Sequence, residues 1–481
     1  MMLLGTGLTL TLGGCLLTDQ PEPGLDIPAR YTRSSANPQI AEAALPKLDW
    51  WRGFRSRELT EIVEQARESN LDIAAAISRV IQADANSRVA GAALLPAIDF
   101  NGDAARSQAS KTTGLGNGAA FVDNSGFRVS NTLTASLSAS YEIDFWGKNR
   151  AALRALEQTA VASRFDREVV TLSTIATAAN SYFQVLAAQD RLRVARSNLA
   201  AAERVLSLIR QRVNAGTASA LEVSQQESLV ATQRAAIPPL EQTVVQFRNA
   251  LAVLMARSPE RVNVRGGSLN SIAVPRVTPG LPSELLTQRP DIREAEAQLA
   301  AANANVYSAR AQLLPSITLT GEGGYQSSVF KLLTRPESVI FSAAGGLTQP
   351  IFEGGRLLGN VDLQKGRQDE LLQNYRKSVI SGFSDVETAL SAVRTTAQSE
   401  QLQRAVVTAS QSAFDIAEQR LREGTIDLVT VLQTQQTLFT AQDSLVQARL
   451  SRMQAIVSLY QALGGGWSPK PRIAEVTTNE R

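Results

Sequence analysis

The chain contains no histidine, and Cys15 is the only cysteine among its 481 residues. The lack of histidine removes imidazole acid–base chemistry and the commonest transition-metal ligand. A single cysteine excludes an intrachain disulfide and a cysteine-ligated metal site within one chain. Charged residues make up only 19% of the sequence, and the net charge of +3 is too small to indicate a nucleic-acid partner. We therefore expect neither a metal nor a nucleic-acid partner.

Long apolar runs are also missing after the N-terminus. No later stretch has about 18 uninterrupted apolar residues, so no transmembrane helix is expected. The run from Met1 to Leu12 is too short to span a bilayer, and it leads into Leu-Gly-Gly-Cys15, which resembles a bacterial lipobox.

The lipobox predicts a signal peptide over residues 1–14 and a covalent lipid on Cys15, with no other cofactor. Leu16 stands where an aspartate would signal retention in the inner membrane, so the sequence favours sorting to the outer membrane. The alternative is a buried or unmodified cysteine.

The sequence repeats one unit twice, and repeats of this kind decide the architecture. Each copy has an Asp-Ile start, an alanine-rich stretch, a Leu-Leu-Pro motif and an alternating run. The matching positions are Asp72, Leu94, Pro96 and Gly102 in the first copy, and Asp291, Leu313, Pro315 and Gly321 in the second. Further along, Arg212–Thr217 matches Arg420–Thr425. Because helix, strand and turn signals agree, we predict a duplicated structural unit.

Each copy contains two predicted strands. From Leu133 to Asp144, apolar and polar residues alternate with a period of two, which predicts a strand with one apolar and one polar face. Its partner runs from Ala97 to about Gln108, and the second copy has strands over 316–327 and 338–352. A membrane barrel with a wet lumen requires such faces, although a half-exposed soluble sheet shows the same alternation.

Long helices follow each hairpin. The segment from Gly147 to Val213 lacks proline and further glycine, and as a helix it would be about 100 Å long. Its leucine and alanine residues recur at steps of three and four, which is typical of helices packed side by side. The other predicted helices are 58–94, 219–255 with a break at Pro238-Pro239, 283–313, 356–422 and 427–463. Gly216-Thr217 and Gly424-Thr425 then form two helix–turn–helix tips.

Four strands cannot close into a barrel, and open edges in hydrocarbon leave backbone groups unsatisfied. Three chains would supply twelve strands and twelve helical columns. The predicted fold class is therefore an α+β membrane protein: a trimeric 12-stranded β-barrel, four strands per chain, continuous with a long periplasmic α-helical barrel. A tube of this length suits a conduit.

Pro/Gly-rich segments are predicted to pack outside the helices around their middle. The boundaries are a signal peptide at 1–14, a lipidated segment at 15–56, a first repeat at 57–263 with its hairpin at 97–144, an equatorial linker at 264–282, a second repeat at 283–463 with its hairpin at 316–352, and an equatorial tail at 464–481.

Five groups of motifs are spread over nearly the whole mature chain. They are Trp50-Trp-Arg-Gly-Phe54, Gly280-Leu-Pro-Ser-Glu-Leu-Leu-Thr-Gln-Arg-Pro-Asp-Ile292 with Glu294-Ala-Glu-Ala-Gln-Leu299, Pro350-Ile-Phe-Glu-Gly-Gly-Arg356, Arg420-Leu-Arg-Glu-Gly-Thr-Ile-Asp427 and Gln433-Thr-Gln-Gln-Thr-Leu438. These motifs resemble those of the TolC-type outer-membrane factors, in particular the lipoprotein branch called NodT, which includes OprM-like proteins.

The resemblance implies a lipid-anchored homotrimer in the outer membrane that extends into the periplasm. It would meet a periplasmic adaptor and, through it, an inner-membrane pump of the RND type. Drugs or other small toxic compounds would leave passively through the tube, and no catalysis is expected.

The resemblance also assigns roles at the tips. Gly216, Thr217, Gly424 and Thr425 match adaptor-docking positions, although glycine also permits the chain reversal. Asp427 matches the acidic aperture of the family, with Arg420 and Arg422 as closing partners, and the alternative is a helix N-cap.

Three other functions remain open at this point. The exit duct of a type I protein-secretion system would have the same barrel and tube. A structural coiled-coil protein would lack membrane strands. An enzyme is the weakest interpretation, since no phosphate loop or nucleophile motif occurs and the acidic pairs lie at spacings usual for solvated helix faces.

Overall fold

A computed structural model describes residue 24 and residues 47–108, 129–275 and 282–468 of the chain. The helices are α1 (Arg57–Ser69), α2 (Leu71–Gly91), α3 (Lys148–Asn214), α4 (Ala220–Ala235), α5 (Ile237–Leu254), α6 (Pro282–Gln288), α7 (Pro290–Ala311), α8 (Arg356–Glu423) and α9 (Leu428–Ala462). The strands are β1 (Ala97–Gln108), β2 (Val129–Ile143), β3 (Ser316–Ser327) and β4 (Val339–Thr348). Of the described residues, 81–161 and 297–373 form one compact unit with the sheet, and the others form a helical unit.

The strands form one antiparallel sheet in the order β1-β2-β3-β4. One row across this sheet is largely apolar and consists of Phe100, Leu137, Gly323 and Phe341. The adjacent row is polar and consists of Asp99, Ser138, Glu322 and Ser342. Because successive residues of a strand point to opposite faces, the sheet has one apolar and one polar face.

The two outer strands of the sheet are β1 and β4. Within the described residues, neither has a strand partner on its outer side. Such an edge presents a row of unpaired backbone N–H and C=O groups, which is a template for pairing with another chain. The sheet is therefore complete only when each edge meets a further strand.

A compact junction connects β2 to α3. The carboxylate of Asp144 accepts hydrogen bonds from the backbone N–H groups of Asn149 and Arg150, both at 2.9 Å, and so caps α3. Gly147 has a φ of +77°, in the left-handed region that glycine favours. The indole of Trp146 donates to the Pro315 carbonyl at 2.8 Å, which ties this junction to the start of β3.

Aromatic residues fill the core of the helical unit. Phe54 is fully buried, and its ring lies 5.1 Å from that of Phe183 on α3. Trp50 stacks on Tyr460 of α9 at 4.8 Å between ring centroids. Large aromatic side chains contribute much of the packing energy in such cores. The Trp50–Phe54 turn is thereby fixed to both helices.

A buried asparagine divides the first predicted helix. The prediction of one helix over 58–94 is wrong, since α1 and α2 meet at Asn70. Its Nδ2 donates to the Leu254 carbonyl at 3.0 Å, and its Oδ1 accepts from the N–H groups of Asp72 and Ile73 at 2.9 and 3.2 Å. The amide caps α2 and links it to α5, so the helix restarts there.

Prolines explain two further differences from the sequence predictions. The helix predicted over 283–313 is divided into α6 and α7, and α7 begins at Pro290, where proline is tolerated. Strand β4 ends at Thr348, short of the predicted residue 352, because Pro350 has no N–H for a ladder bond. The break predicted near Pro238 is confirmed between α4 and α5.

A buried carboxylate joins α8 to α9. Glu400 is 1% exposed and accepts hydrogen bonds from Arg449, Arg452 and Arg404 at 2.7, 2.8 and 2.6 Å. Burial alone raises the pKa of Glu400, but the hydrogen bonds from the three arginines outweigh burial and bring the pKa to about 2. Arg449 also donates to the Leu269 carbonyl at 2.8 Å, which fastens the loop before α6.

Candidate functional site

The first tip closes α3 with a glycine in the left-handed conformation. Gly216 has a φ of +72°, and its N–H donates to the Val213 carbonyl at 2.9 Å. The N–H of Thr217 donates to the Arg212 carbonyl at 2.9 Å, and its hydroxyl donates to the same carbonyl at 3.1 Å. These backbone bonds form a Schellman motif, which satisfies carbonyls that the helix end leaves free.

The second tip closes α8 with the same set of bonds. Gly424 has a φ of +76°, and its N–H donates to the Leu421 carbonyl at 3.1 Å. The N–H and hydroxyl of Thr425 both donate to the Arg420 carbonyl, at 2.9 and 3.2 Å. The correspondence seen in the sequence therefore extends to each hydrogen bond of the turn.

Backbone conformation, not crowding, explains the two tip glycines. A Cβ added at Gly216 or Gly424 would meet nothing within 4 Å, whereas a positive φ disfavours residues with a side chain. Glycine therefore has the turn-forming role at both tips. Both glycines and the threonines that follow them are exposed, so adaptor docking at these four residues stays a prediction.

The helices that leave the tips begin with different N-caps at equivalent positions. The Ser219 hydroxyl accepts from the N–H of Glu222 at 3.4 Å, and the Glu222 carboxylate accepts from the N–H of Ser219 at 2.6 Å, which completes a capping box. Asp427 accepts from the hydroxyl and the N–H of Thr430 at 2.6 and 2.9 Å. These two bonds lower the pKa of Asp427, so its exposed carboxylate is ionised at neutral pH.

The structure does not bring the three predicted aperture residues together within one chain. Arg422 pairs with Glu418 on its own helix at 3.2 Å. Among the described residues, neither Arg420 nor Asp427 forms an ion pair with a side chain. Asp427 has the capping role that was the alternative in the sequence, and an aperture that needs symmetric copies stays a prediction.

Arg212 forms a bridge between the tips, a role that was not predicted from the sequence. Its guanidinium donates to the Leu421 carbonyl of the second tip at 3.1 Å and to the Thr217 carbonyl of the first tip at 3.3 Å. A basic residue in the last turn of a helix is a signal for binding free carbonyls. That signal could have identified Arg212, but not the neighbouring helix that it reaches.

A shared core lies beneath both tips. It joins buried residues of α3, α8 and α9, namely Ala201, Val205, Ile209, Phe414, Ala417, Leu421, Leu428, Val431, Leu438 and Phe439. On the neighbouring helix α4, Gln226 is fully buried and donates to the Ala202 carbonyl at 2.9 Å and to Gln435 at 3.3 Å. Apolar burial and this amide pair hold the two tips of one chain together.

Over the described ranges, no group of three or more His, Cys, Asp or Glu residues is placed to hold a metal ion. No helix within these ranges is both long and apolar enough to cross a membrane. Cys15 lies outside the described residues.

The matched repeats identify the protein family. The family model described as outer membrane efflux protein matches residues 62–257 and 281–465. The chain belongs to the outer membrane efflux protein family. Both matched segments coincide with the repeats, and the family resemblance drawn from the sequence motifs is confirmed.

Curated relatives cover almost the whole chain. It is 42% identical over 460 residues to the pyoverdine export outer membrane protein OpmQ of Pseudomonas putida, with 96% of each chain covered. It is 40% identical over 459 residues to OpmQ of Pseudomonas aeruginosa, with 95% of each covered. It is 32% identical over 477 residues to the toluene efflux pump outer membrane protein TtgF of Pseudomonas putida, with 96% of each covered.

Solved structures share the fold. The outer-membrane channel OprN aligns with a TM-score of 0.86 at 25% identity, covering 94% of this chain and 100% of that one. The open state of the Neisseria gonorrhoeae MtrE outer membrane channel aligns with a TM-score of 0.81 at 28% identity, covering 94% and 98%. The predicted fold class, with four antiparallel strands per chain and long helices, is therefore confirmed.

The protein is an outer-membrane component of an efflux pump, as the sequence predicted. Its family consists of transport proteins, and its place is the outer membrane. The two-faced sheet suits that place because only its apolar face can meet lipid.

Proposed function

We propose that three copies of the chain form one closed channel through which solutes leave the cell. The observation that carries this proposal is the four-stranded sheet, whose apolar face spans all four strands and whose outer edges have no partner among the described residues. In lipid, each unpaired backbone group costs several kcal/mol, so edge must meet edge around a ring. Three copies give twelve strands, an even number within the range of bacterial barrels.

The channel itself performs no reaction in this proposal. The helices extend into the periplasm, where a periplasmic adaptor meets the tips and connects them to an inner-membrane pump of the RND type. The pump supplies the energy, and the solute passes through passively. The exposed Gly-Thr turns at both tips support docking there, because their surface is open and their conformation is fixed by hydrogen bonds.

A covalent lipid on Cys15 would anchor the N-terminus in the membrane. The 31 residues of segment 16–46 can extend to about 100 Å, which gives a lipid on Cys15 a long tether to the turn at Trp50. If Cys15→Ser matured and localised normally with no loss of lipid labelling, the anchor would be refuted.

The exported compounds are proposed to be drugs or other small toxic compounds, and a pyoverdine-like siderophore is the candidate to test first. The relatives at 42% and 40% identity are both named for pyoverdine export. The lumen would be lined by the polar sheet face, whose side chains include Asp99, Ser138 and Glu322. Such a surface admits hydrated polar solutes, and selection would lie with the pump.

A deletion strain tests the proposed function. Loss of the gene should raise intracellular siderophore or sensitivity to toxic compounds, and the full-length chain should restore export when its pump and adaptor are present. Unchanged accumulation for every compound tested, in a strain without a second exit channel, would refute it. A defect confined to an exported protein would indicate the type I secretion duct instead.

A further inference from the structure

The loop between β3 and β4, residues 328–338, exposes large apolar side chains on a backbone that is held by hydrogen bonds. The exposed fractions of Phe330 and Val329 are 77% and 49%. The Ser338 hydroxyl donates to the Leu332 carbonyl at 2.7 Å, and the Ser327 hydroxyl donates to the Val329 carbonyl at 3.0 Å. Large apolar groups held in the open by a fixed backbone mark an interaction surface.

This loop continues the apolar face of the sheet. Tyr325 and Val339 pair in the last register before the loop, and both belong to the apolar rows. Phe341, one step further along that face, is 88% exposed. Since an apolar face of a membrane sheet meets lipid, the apolar residues of the 328–338 loop lie next to the lipid-facing surface.

Two cations accompany these apolar groups. Lys331 directly follows Phe330, and Arg335 lies four residues further on. Both are exposed, and within the described chain neither makes an ion pair. Glu337 is the only acidic residue of the loop, so the loop is cationic. Arg and Lys attract phosphate groups at a membrane surface, and Arg binds them with a planar fork.

We propose that the 328–338 loop binds a phosphorylated lipid of the outer leaflet of the outer membrane. Phe330 and Val329 would enter the acyl boundary, while Lys331 and Arg335 would contact the headgroup phosphates. The inference rests on the proposed function in one respect. The loop lies at the end of the strands opposite the helices, so it faces the outer leaflet only if the helices are periplasmic.

The test uses the purified full-length protein in phosphatidylethanolamine nanodiscs. Diphosphorylated lipid A is titrated in, and bound lipid per complex is counted by native mass spectrometry. The variant Lys331→Gln/Arg335→Gln should bind about tenfold to thirtyfold more weakly, the loss expected for two phosphate-facing cations. Dephosphorylated lipid A should bind the wild type and the variant equally.

A matched control removes two exposed cations elsewhere, in Lys365→Gln/Arg367→Gln on α8, and should leave lipid A binding unchanged. Equal binding by the wild type and the loop variant would overturn the inference. A second variant, Phe330→Ser, separates a lipid contact from a plug over the mouth of the channel. It should weaken lipid A binding without changing single-channel conductance, and a rise in conductance with unchanged binding would contradict the proposal.

Measuring export by the loop variants separates the proposed lipid site from the proposed export function. Normal export together with unaltered lipid A binding would remove the lipid site and leave the export function standing. Failure of the wild type itself to export would count against the proposed function.

Discussion

In the first copy of the repeat, Gly216-Thr217 ends a helix and Ser219 begins the next one; in the second copy, Gly424-Thr425 and Asp427 occupy the same places. The turns agree bond for bond, whereas the charged groups do not. Arg212 reaches the other tip, but its counterpart Arg420 does not do so within the described chain. The two copies therefore share the backbone conformation of the tip turn, but they differ in the contacts of their charged side chains.

The same contrast holds further from the tips. Glu400, with its three arginine partners, lies in the second copy where the first copy has Leu192. One copy therefore has a buried ionic network where the other has a partly buried leucine. The copies share an architecture, but they need not respond alike to pH or to removal of a charge.

Of the variants that test this difference between the copies, Glu400→Gln should lower the free energy of unfolding most. Three arginines would lose their charged partner, and breaking a buried ion pair costs about 3 kcal/mol or more. Stability of the wild-type protein and the variant would be compared by denaturant unfolding at pH 7. The matched change Leu192→Met, which conserves volume, should cost less than about 1.5 kcal/mol. A loss from Glu400→Gln no larger than that of the control would show that the network is not stabilising.

Lowering the pH should destabilise the protein by protonating the carboxylate of Glu400. The folded pKa of Glu400, about 2, lies below its ordinary value, so its stabilisation is complete above about pH 4.5 and is lost as the pH falls towards 2. The difference in unfolding free energy between wild-type protein and Glu400→Gln should therefore shrink over that range. A pH-independent difference would argue against a charge effect.

Substituting valine for the tip glycines should cause the next largest loss of stability. Gly216→Val and Gly424→Val force a branched side chain into the left-handed region, at a cost of about 1–2 kcal/mol each. Export should fall with either variant while the protein still reaches the outer membrane. Asn tolerates this conformation, so Gly→Asn at the same positions serves as the control for turn strain. Full export by both valine variants would refute docking at the turns.

The arginines at the ends of α3 and α8 offer a matched pair. Arg212→Gln removes the hydrogen bonds to Leu421 and Thr217 and should destabilise the tips by about 1.5 kcal/mol, whereas Arg420→Gln should have a smaller effect. Hydrogen exchange of the tip amides would measure local opening. Equal protection in both variants would show that the bridge contributes nothing.

The smallest expected stability effect concerns the caps. Ser219→Ala and Asp427→Ala should each cost about 1 kcal/mol of helix stability. Asp427→Ser keeps a cap and removes the charge, and so gives the second tip the residue of the first. If Asp427 also closes an aperture, Asp427→Ala and Asp427→Ser should both raise ion conductance in planar bilayers. A rise with Asp427→Ala alone would assign the residue to capping only.

Local signals in the sequence predicted much of this architecture. The alternation of apolar and polar residues predicted the strands, and the absence of proline and glycine predicted α3. The two Gly-Thr pairs predicted the tips. The division at Asn70 was not predicted: Asn70 caps α2 through local bonds, but the hydrogen bond that fixes its side chain to Leu254 joins residues that are distant in sequence. The bridge from Arg212 was missed for the same reason. At Asp427, one residue type suits both a cap and an aperture, and sequence alone cannot separate roles that share a carboxylate.

We propose that this chain forms a channel only as a trimer, because the sheet of the described residues has two open edges. The most direct test is the mass of the full-length complex extracted from the outer membrane in mild detergent, measured by native mass spectrometry. We expect a complex of three chains. A stable monomer with a folded sheet, or a complex whose chain number is not three, would contradict it.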